Sequence, residues 1–284
     1  MGVKKRSRAQ EVWRQLKKNK LAIVGLFVLI ALVLVAIFAP LIAPYPFDEQ
    51  HPELSFAKPS SEHILGCDKL GRDTFSRLVW GSRQSLMIGF FSVALASVIG
   101  IIFGALAGYY GGFIDTLLMR ILDIYQAVPT MLLCLTLAAI MGAGLRSCII
   151  SLGVSSVAGY ARMMRATVLT VRDKEFVEAA KAIEASDLRI LVKHIIPNAI
   201  SPLIVQITMG VGSSILMGAA LSFIGLGVQP PTPEWGTMIS EARSFLRQQP
   251  QLALYPGLCI MASVLSCNLL GDGLRDALDP RQKN

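Results

Sequence analysis

The segment VRDKEFVEAAKAIEASDLRILVKHIIP, residues 171–197, is the most charged stretch between two long apolar runs. In a membrane protein such a segment lies in water, because each charge would cost several kcal/mol in hydrocarbon. Its alanines favour helix, and its apolar side chains recur three or four residues apart. Two short stripes result: Phe176, Val177, Ala180 and Ile183, then Leu188, Leu191 and Ile195. We expect Ser186 to cap a second helix that Pro197 ends, and helicity alone also allows a solvated loop.

The residues around this segment predict an all-α, polytopic membrane protein. The 284-residue chain is 53% hydrophobic and 16% charged, whereas soluble domains are about a quarter charged. Uncharged runs longer than the roughly 20 residues that cross a bilayer occupy 21–45, 84–114, 124–145, 195–233 and 248–271. A shorter run at 147–161 can also span if Arg162 and Arg165 lie at the interface or face a wet interior. We therefore predict six transmembrane helices.

The distribution of basic residues predicts the orientation. With the amino terminus inside, most of the 27 lysines and arginines fall in inner segments, and these segments carry the whole net charge of +8. This is the positive-inside bias of membrane proteins. It places residues 171–197 and both termini in the cytosol, and it explains the basic composition without nucleic acid as a partner.

The groups that carry enzyme chemistry are absent or scattered. The sequence contains no GxxxxGK[ST] phosphate loop, no Gly-x-Ser-x-Gly elbow and no HExxH zinc motif. On the predicted topology, His51 and His63 lie outside and His194 inside. Cys67 is the one cysteine in a polar loop, and no CxxC pair occurs. We predict a non-catalytic chain that binds no cofactor or metal of its own.

Small residues recur every four positions in the second and fifth spans. Such residues share one helix face, where another backbone can approach closely. Packing within the chain is the favoured interpretation, and a subunit interface is the alternative. The positions are Gly100, Gly104, Gly108 and Gly112, then Gly210, Ser214 and Gly218.

Three single positions carry further expectations. Pro129 should kink the third span, because proline disrupts the helical hydrogen-bond ladder. Asp123 should pair with Arg120 at the membrane interface. Trp235 suits the aromatic belt at the membrane surface.

Residues 178–197 resemble the EAA loop of ABC-type importer permeases. That pattern is Glu-Ala-Ala, three residues, Gly, nine residues and a short apolar run ending in Pro; this chain keeps the spacing from Glu178 to Pro197. Glu184 replaces the glycine, which would ease a tight turn, and so predicts a turn with negative φ or a more continuous helix. The stretches 63–73, 225–236 and 268–281 resemble peptide and nickel permeases, with Cys67 at a usual threonine.

The chain is thus similar to the C-type permease subunit of dipeptide, oligopeptide and nickel importers. The resemblance implies a type I (MetI-like) core of five helices plus an N-terminal span in the bacterial plasma membrane. It implies a second permease, two cytosolic ATPase subunits that bind ATP and Mg²⁺, and an extracytoplasmic solute-binding protein. The residues it implies for docking on the ATPase are Glu178, Ala179, Ala180, Lys181, Glu184, Ala185, Ser186, Asp187, Leu188 and Arg189.

This plan divides the chain into segments. They are a cytosolic basic amphipathic segment (1–20), a first transmembrane helix (21–43), an extracytoplasmic segment (44–84), a permease core (85–271) containing the cytosolic coupling loop (171–197) and an outer loop (228–250), and a cytosolic tail (272–284). A short peptide, nickel and a metal chelate stay open as substrates. The alternative is a secondary transporter or channel that works alone, which would use ionisable groups deep in the membrane.

Overall fold

Helices make up the regular structure of residues 8–279, which the computed structural model describes, with side chains from Gln10 onward. In this range no strand forms beyond an isolated bridge between Cys67 and Asp73. The basic residues of the amino terminus before Arg8, and Arg281 and Lys283 of the tail, lie outside the described residues. The all-α prediction is confirmed.

The described chain contains thirteen α-helices. They are α1 (Arg8–Leu16), α2 (Lys20–Ile37), α3 (Ala39–Ile42), α4 (Thr74–Tyr110), α5 (Gly112–Gln126), α6 (Thr130–Met141), α7 (Leu145–Leu169), α8 (Glu175–Ala182), α9 (Asp187–Ile190), α10 (Ile196–Ala199), α11 (Ser201–Phe223), α12 (Trp235–Ala242) and α13 (Gln251–Leu278). Two 3-10 turns, Pro52–Leu54 and Arg243–Phe245, and one π-helical turn, Leu191–Ile195, complete the set.

Side-chain caps fix where several helices begin. Asn19 accepts the Ala22 N–H at 3.1 Å at the start of α2, and Asp73 accepts the Ser76 N–H at 2.7 Å at the start of α4. Capping of this kind satisfies amides that have no partner within the helix. Because of the Asp73 cap, α4 begins at Thr74 and crosses the predicted segment boundary at residue 85.

Four of the described helices are long and apolar enough to cross a membrane: α2, α4, α11 and α13. The pair α5–α6 forms a fifth span if its two halves, bent by 82°, are counted together. Pro129 immediately precedes α6, so the predicted kink is confirmed.

Helix α7 was the expected fourth span, and it is not among the helices that are apolar enough. It is long, at 25 residues, but it carries three arginines, and its serines Ser147, Ser151 and Ser155 are buried against neighbouring helices. A helix packed inside the bundle does not need an apolar surface, because it faces protein instead of lipid. The predicted number of six spans is therefore larger than the number of described helices that are apolar enough to cross a membrane.

Glycines allow α4 and α7 to pack closely along their lengths. A Cβ added at Gly100 would lie 2.5 Å from the Tyr160 Cβ, and one at Gly104 would lie 2.2 Å from the Ala161 carbonyl oxygen. At Gly108 the nearest atom would be the Val168 Cβ at 2.8 Å. The glycine stripe of α4 thus packs within the chain.

Gly112 does not belong to that contact. It has a φ of +51° at the first position of α5, and nothing lies within 4 Å of the Cβ position. Helix α4 ends at Tyr110. The four-residue spacing in the sequence therefore included one glycine that lies beyond the end of the helix.

The small residues of α11 pack against the same two helices. A Cβ at Gly210 would lie 2.2 Å from the Tyr160 hydroxyl oxygen, and one at Gly218 would lie 2.4 Å from the Ile88 Cγ2. Ser214 is buried between them. Helices α4, α7 and α11 therefore form one tightly packed unit, and α13 and α2 pack beside α11 and α4.

Helix α13 runs past the predicted end of the core at Gly271 and finishes at Leu278. Its glycines are sites of close packing, since a Cβ at Gly271 would lie 2.4 Å from the Met209 Cγ and one at Gly273 would lie 2.2 Å from the Ala22 Cβ. These contacts keep the helix intact through a sequence that looks like a tail.

Candidate functional site

The segment predicted as the coupling loop forms two short helices, α8 and α9, with a tight turn between them. At the end of α8 the Ala185 N–H donates to the Ala180 carbonyl at 3.2 Å, and the Glu184 N–H donates to the Lys181 carbonyl at 2.9 Å. This pair of bonds is the Schellman motif, in which the residue after the helix adopts a left-handed conformation.

Glu184 occupies that left-handed position, with a φ of +54°. The expectation of a negative φ, or of a more continuous helix, is therefore wrong. The chain keeps the backbone conformation that glycine adopts without strain and places a glutamate in it, which costs about 1–2 kcal/mol.

The second helix differs from its predicted boundaries at both ends. Ser186 precedes α9, but its side chain makes no capping hydrogen bond. Pro197 does not end the helix, because the π turn at Leu191–Ile195 leads directly into α10. In this turn the Ile196 N–H donates to the Leu191 carbonyl, five residues back. The change of hydrogen-bond register accommodates a proline that has no N–H to donate.

One face of the loop packs on the membrane helices. Val177 and Ile195 are fully buried, and Ala180 and Leu191 are nearly so. They contact a cluster that includes Met164 and Val168 of α7 and Leu203 of α11. This face fixes the loop to the helix bundle.

The opposite face exposes large apolar side chains to solvent. Ile183 is 76% exposed and Leu188 is 71% exposed, and Phe176 and Val192 are also exposed. We call Phe176, Ile183, Leu188 and Val192 the exposed apolar set of the loop. Large apolar side chains exposed beside charges are typical of protein-interaction surfaces.

The structure divides the ten predicted docking residues by exposure. Ala180 is buried and Ala185 is half-buried, whereas the other eight are exposed: Glu178, Ala179, Lys181, Glu184, Ser186, Asp187, Leu188 and Arg189. The prediction omitted Ile183 and Val192. The apolar periodicity identified Ile183, but it could not tell which side of the helix faces solvent.

Tyr109, near the end of α4, holds the loop in place. Its hydroxyl donates to the Asp187 carboxylate at 2.7 Å, and the Lys181 ammonium lies 6.0 Å from the centroid of its ring. Both ends of the turn are therefore joined to α4. No sequence motif identified Tyr109, because this contact joins residues far apart in the chain.

Ion pairs connect α7 to α5. The Arg165 guanidinium makes two hydrogen bonds to the Asp115 carboxylate, one of them 2.6 Å long. Asp123 pairs with Arg162 at 3.3 Å, so the expected pair with Arg120 is wrong. Asp123 and Arg162 lie on different helices, so spacing along the sequence did not reveal this pair.

A cavity of about 660 Å³ opens between α7, α11 and the end of α13. Polar side chains line it in a bundle that is otherwise largely apolar, and the Gln206 Oε1 atom is buried there without a hydrogen-bond partner. The polar lining includes Ser156, Tyr160, Gln206, Ser213 and Arg275. The lining is mostly apolar, and these few polar groups can form hydrogen bonds to a solute in the cavity.

At the other end of α4, four charged side chains form a buried network. Arg72 binds Asp68 at 2.6 Å and Glu241 at 2.9 Å, and Arg77 binds the second Glu241 oxygen at 2.7 Å. The two arginines are almost fully buried and are matched by two carboxylates. The network joins the segment before α4 to α12. Sequence analysis did not identify Glu241, which is distant in the chain.

Two residues in this region differ from their predicted environments. Trp235 is 1% exposed and its indole N–H donates to the Leu78 carbonyl at 3.1 Å, so it lies in the core and not in a surface belt. Cys67 is 3% exposed, and burial beside Asp73 and Asp68 raises the pKa of its thiol to about 11. Among residues 8–279, no group of three His, Cys, Asp or Glu side chains could hold a metal ion.

Two protein families match the sequence. Residues 100–284 match the family described as binding-protein-dependent transport system inner membrane component. Residues 7–59 match the N-terminal TM domain of oligopeptide transport permease C.

Full-length relatives include peptide transport proteins. The chain is 47% identical over 275 residues to the dipeptide transport system permease protein DppC of Alkalihalophilus pseudofirmus, covering 97% of this chain and 90% of that protein. It is 43% identical over 281 residues to the di/tripeptide transport system permease protein DppC of Pseudomonas aeruginosa, covering 97% and 93%. It is 44% identical over 275 residues to the glutathione transport system permease protein GsiD of Escherichia coli, covering 96% and 90%.

A solved structure shares the fold. An inward facing conformation of the MetNI methionine ABC transporter contains a chain that superposes with a TM-score of 0.58 at 20% identity, covering 72% of this chain and 96% of that one. The two chains therefore share a helical fold over this part of the sequence.

Proposed function

The chain belongs to the family of binding-protein-dependent transport system inner membrane components, a permease of ABC transport systems, and we propose that it passes short peptides across the bacterial inner membrane. In this proposal it pairs with a second permease, and two cytosolic ATPases drive the pair. An extracytoplasmic binding protein delivers the peptide, and both termini of the chain face the cytosol.

The exposed apolar set of the loop supports docking on an ATPase. Its side chains face solvent, whereas Val177, Ala180 and Ile190 of α8 and α9 pack on α4 and α7. Covering Ile183 and Leu188 with a partner would remove apolar surface from water, at about 25 cal/mol per Å². This is the observation that carries the coupling role.

The same loop has the rigidity that coupling requires. Its buried face, the hydrogen bond from Tyr109 and the π turn into α10 connect it to α4, α7 and α11 at once. When an ATPase moves the exposed face, the packed helices shift as bodies, because close-packed interfaces do not deform continuously. Closure of the ATPases is thereby transmitted to the cavity between α7 and α11.

The relatives support a short peptide as the substrate. Dipeptides, di/tripeptides and glutathione appear in the names of the three similar proteins. Hydroxyl and amide groups of Ser156, Gln206 and Ser213 in the cavity match the N–H and C=O groups of a peptide backbone. Nickel, the other substrate class considered, would favour imidazole or thiolate ligands, and the cavity lining has neither.

A pull-down tests the docking role with a matched pair of variants. Leu188→Asp places a charge in the exposed apolar set, and Ile64→Asp places one on an exposed apolar residue of the segment before α4. We expect Leu188→Asp to reduce the ATPase recovered with the tagged permease at least about tenfold, equivalent to about 1.4 kcal/mol. Ile64→Asp should leave recovery unchanged.

The choice of Leu188 avoids a folding defect. Ala180, an alternative target in the motif, is 5% exposed, so an aspartate there would bury a charge and destabilise the chain itself. Ala179→Asp is a second exposed variant and should behave as Leu188→Asp does. Equal ATPase recovery with both exposed variants and with Ile64→Asp would refute docking through this face.

The second candidate function is a carrier that works without ATP. Its support would be the half-exposed Asp123–Arg162 ion pair, since ionisable groups inside membrane bundles can couple transport to ions. The pair neutralises itself, however, and the exposed loop face has no role in such a carrier. ATP-driven import gives the exposed loop face a role in docking, and it does not require the Asp123–Arg162 pair to bind an ion.

A further inference from the structure

A groove lies between α2 and α4, away from the coupling loop. It has a volume of about 440 Å³. Two apolar stripes face each other across it, Val33 and Ile37 from α2 and Leu86, Phe90 and Phe91 from α4. Both helices are apolar enough to cross a membrane. The groove therefore runs between two candidate membrane spans, and Ile37 and Phe91 in its lining are exposed.

A single cation lies at one end of this groove. Arg83 is the last charged residue of α4, and the residues from there to Tyr110 are uncharged. Among residues 8–279 it forms no salt bridge, and its guanidinium stacks 5.4 Å from the centroid of the Trp80 ring. An arginine at this depth extends its head group towards the polar interface. There it presents unused hydrogen-bond donors to whatever occupies the groove.

We propose that this groove binds one phospholipid, with an acyl chain between the two apolar stripes and the phosphate on Arg83. The guanidinium fork matches two phosphate oxygens, and a phosphate supplies the negative charge that the described chain does not. The Trp80 ring, which also contacts Phe47 at 5.6 Å, is suited to the same interface.

The charge at one end of the groove favours a lipid over an apolar helix of another protein. Arg83 to Phe91 spans about 12 Å along α4, a length over which an acyl chain can lie against both apolar stripes. A narrow, flexible chain fits the groove, and the charge at its end identifies the head group.

The test compares two lipids that differ only in the phosphate-containing head group. The importer complex is purified in mild detergent and its thermal unfolding is measured with dioleoyl phosphatidylglycerol or with dioleoylglycerol. We expect phosphatidylglycerol to raise the unfolding temperature by about 3 °C more than dioleoylglycerol does. Native mass spectrometry should show one retained phosphatidylglycerol for each copy of this chain.

Three variants assign the effect to the groove. Arg83→Gln should remove the difference between the two lipids, whereas Arg146→Gln, which removes an exposed arginine at the start of α7, should keep it. Ile37→Trp fills the mouth of the groove at a side chain that is already exposed, and it should reduce stabilisation by both lipids.

Several results would overturn the proposal. One is an equal response of Arg83→Gln and Arg146→Gln to phosphatidylglycerol. Another is a cross-link from Phe91→Cys to a neighbouring subunit, since that would show a protein covering the groove. The outcome is independent of ATPase docking, because these variants leave the loop unchanged.

Discussion

At the scale of single residues, Glu184 is where the structure departs most clearly from expectation. The hydrogen bonds that end α8 require a left-handed residue after the helix, whatever its side chain. Sequence spacing located the turn correctly. The identity of the residue suggested a different backbone, because glutamate rarely adopts positive φ.

Replacing Glu184 with glycine should stabilise the loop, whereas replacing it with alanine should not. Glu184→Gly removes the strained Cβ, worth about 1–2 kcal/mol, and gives back part of this through greater freedom of the unfolded chain. Glu184→Ala removes the same charge and keeps the Cβ. We expect the unfolding temperature of the purified complex to rise for glycine alone, and an equal rise with alanine would show that charge, not φ, is responsible.

Cys67 should be nearly inert to thiol reagents near neutral pH. Its thiol pKa is raised to about 11, so the reactive thiolate appears only as the pH approaches that value. Against an unperturbed thiol pKa of 9.0, the thiolate fraction at pH 7.5 falls by roughly 100-fold. Maleimide labelling of intact membranes measures this, with Ile64→Cys as the exposed control, and comparable labelling rates would contradict the buried position.

Trp235 and Cys67 show why residue environments were hard to predict. Both lie in stretches rich in glycine, proline and charge, which indicate exposed loops. The structure buries them because Arg72 and Arg77 pair with carboxylates and allow the polar segment to pack on α4 and α12. Burial here depends on ion pairs between residues that are far apart in the sequence, and local composition does not reveal such pairs.

At the scale of elements, the contact between α4 and α7 depends on glycines that cannot accept a side chain. A Cβ at Gly104 would meet the Ala161 carbonyl oxygen, a backbone atom that cannot rotate away. Gly257 of α13 has nothing within 4 Å of its Cβ position. The two glycines therefore form a matched pair of helix positions that differ in packing.

Gly104→Ala should destabilise the bundle by about 1–3 kcal/mol through overpacking, whereas Gly257→Ala should be neutral or slightly favourable. Expression in membranes and thermal unfolding in detergent report the difference. Similar behaviour of the two variants would show that α4 and α7 are further apart than the structure places them.

The buried charge network should depend on Glu241. Glu241→Ala leaves Arg72 and Arg77 without their shared carboxylate, and an uncompensated buried charge costs about 3–5 kcal/mol. Glu53→Ala, at an exposed carboxylate of the same region, should have little effect on stability. Limited proteolysis of the segment between α3 and α4 would detect the loosening. Unchanged protection in the Glu241 variant would contradict the network.

The predicted elements succeeded where periodicity and hydrophobicity are strong. The long uncharged runs coincide with most of α2, α4, α11 and α13, although α4 begins before its run and α13 ends after its run. Pro129 marks the bend between α5 and α6. Helix α7 was the hardest to predict, because six of its twelve buried residues are serine, alanine or glycine. Such residues give little hydrophobic signal, although they pack closely against glycine-rich neighbours.

At the scale of the whole molecule, packed helices connect the exposed face of residues 171–197 to the cavity between α7 and α11. The loop face carrying Ile183 and Leu188 is fixed to α4 and α7, and α7 also lines the cavity with Ser156 and Tyr160. Four separated motifs in the sequence correctly indicated the family. The cavity, and the helix faces that line it, could not be predicted from the sequence, because they depend on how α7 and α11 pack.

The most direct test of the account is peptide uptake by the reconstituted importer. The complex containing this chain is placed in liposomes with its binding protein outside and ATP inside, and entry of a radiolabelled dipeptide is followed. The account predicts uptake that requires ATP, is competed by unlabelled di- and tripeptides, and is lost with Leu188→Asp. Uptake by this chain alone, at the same rate without ATP, would contradict it.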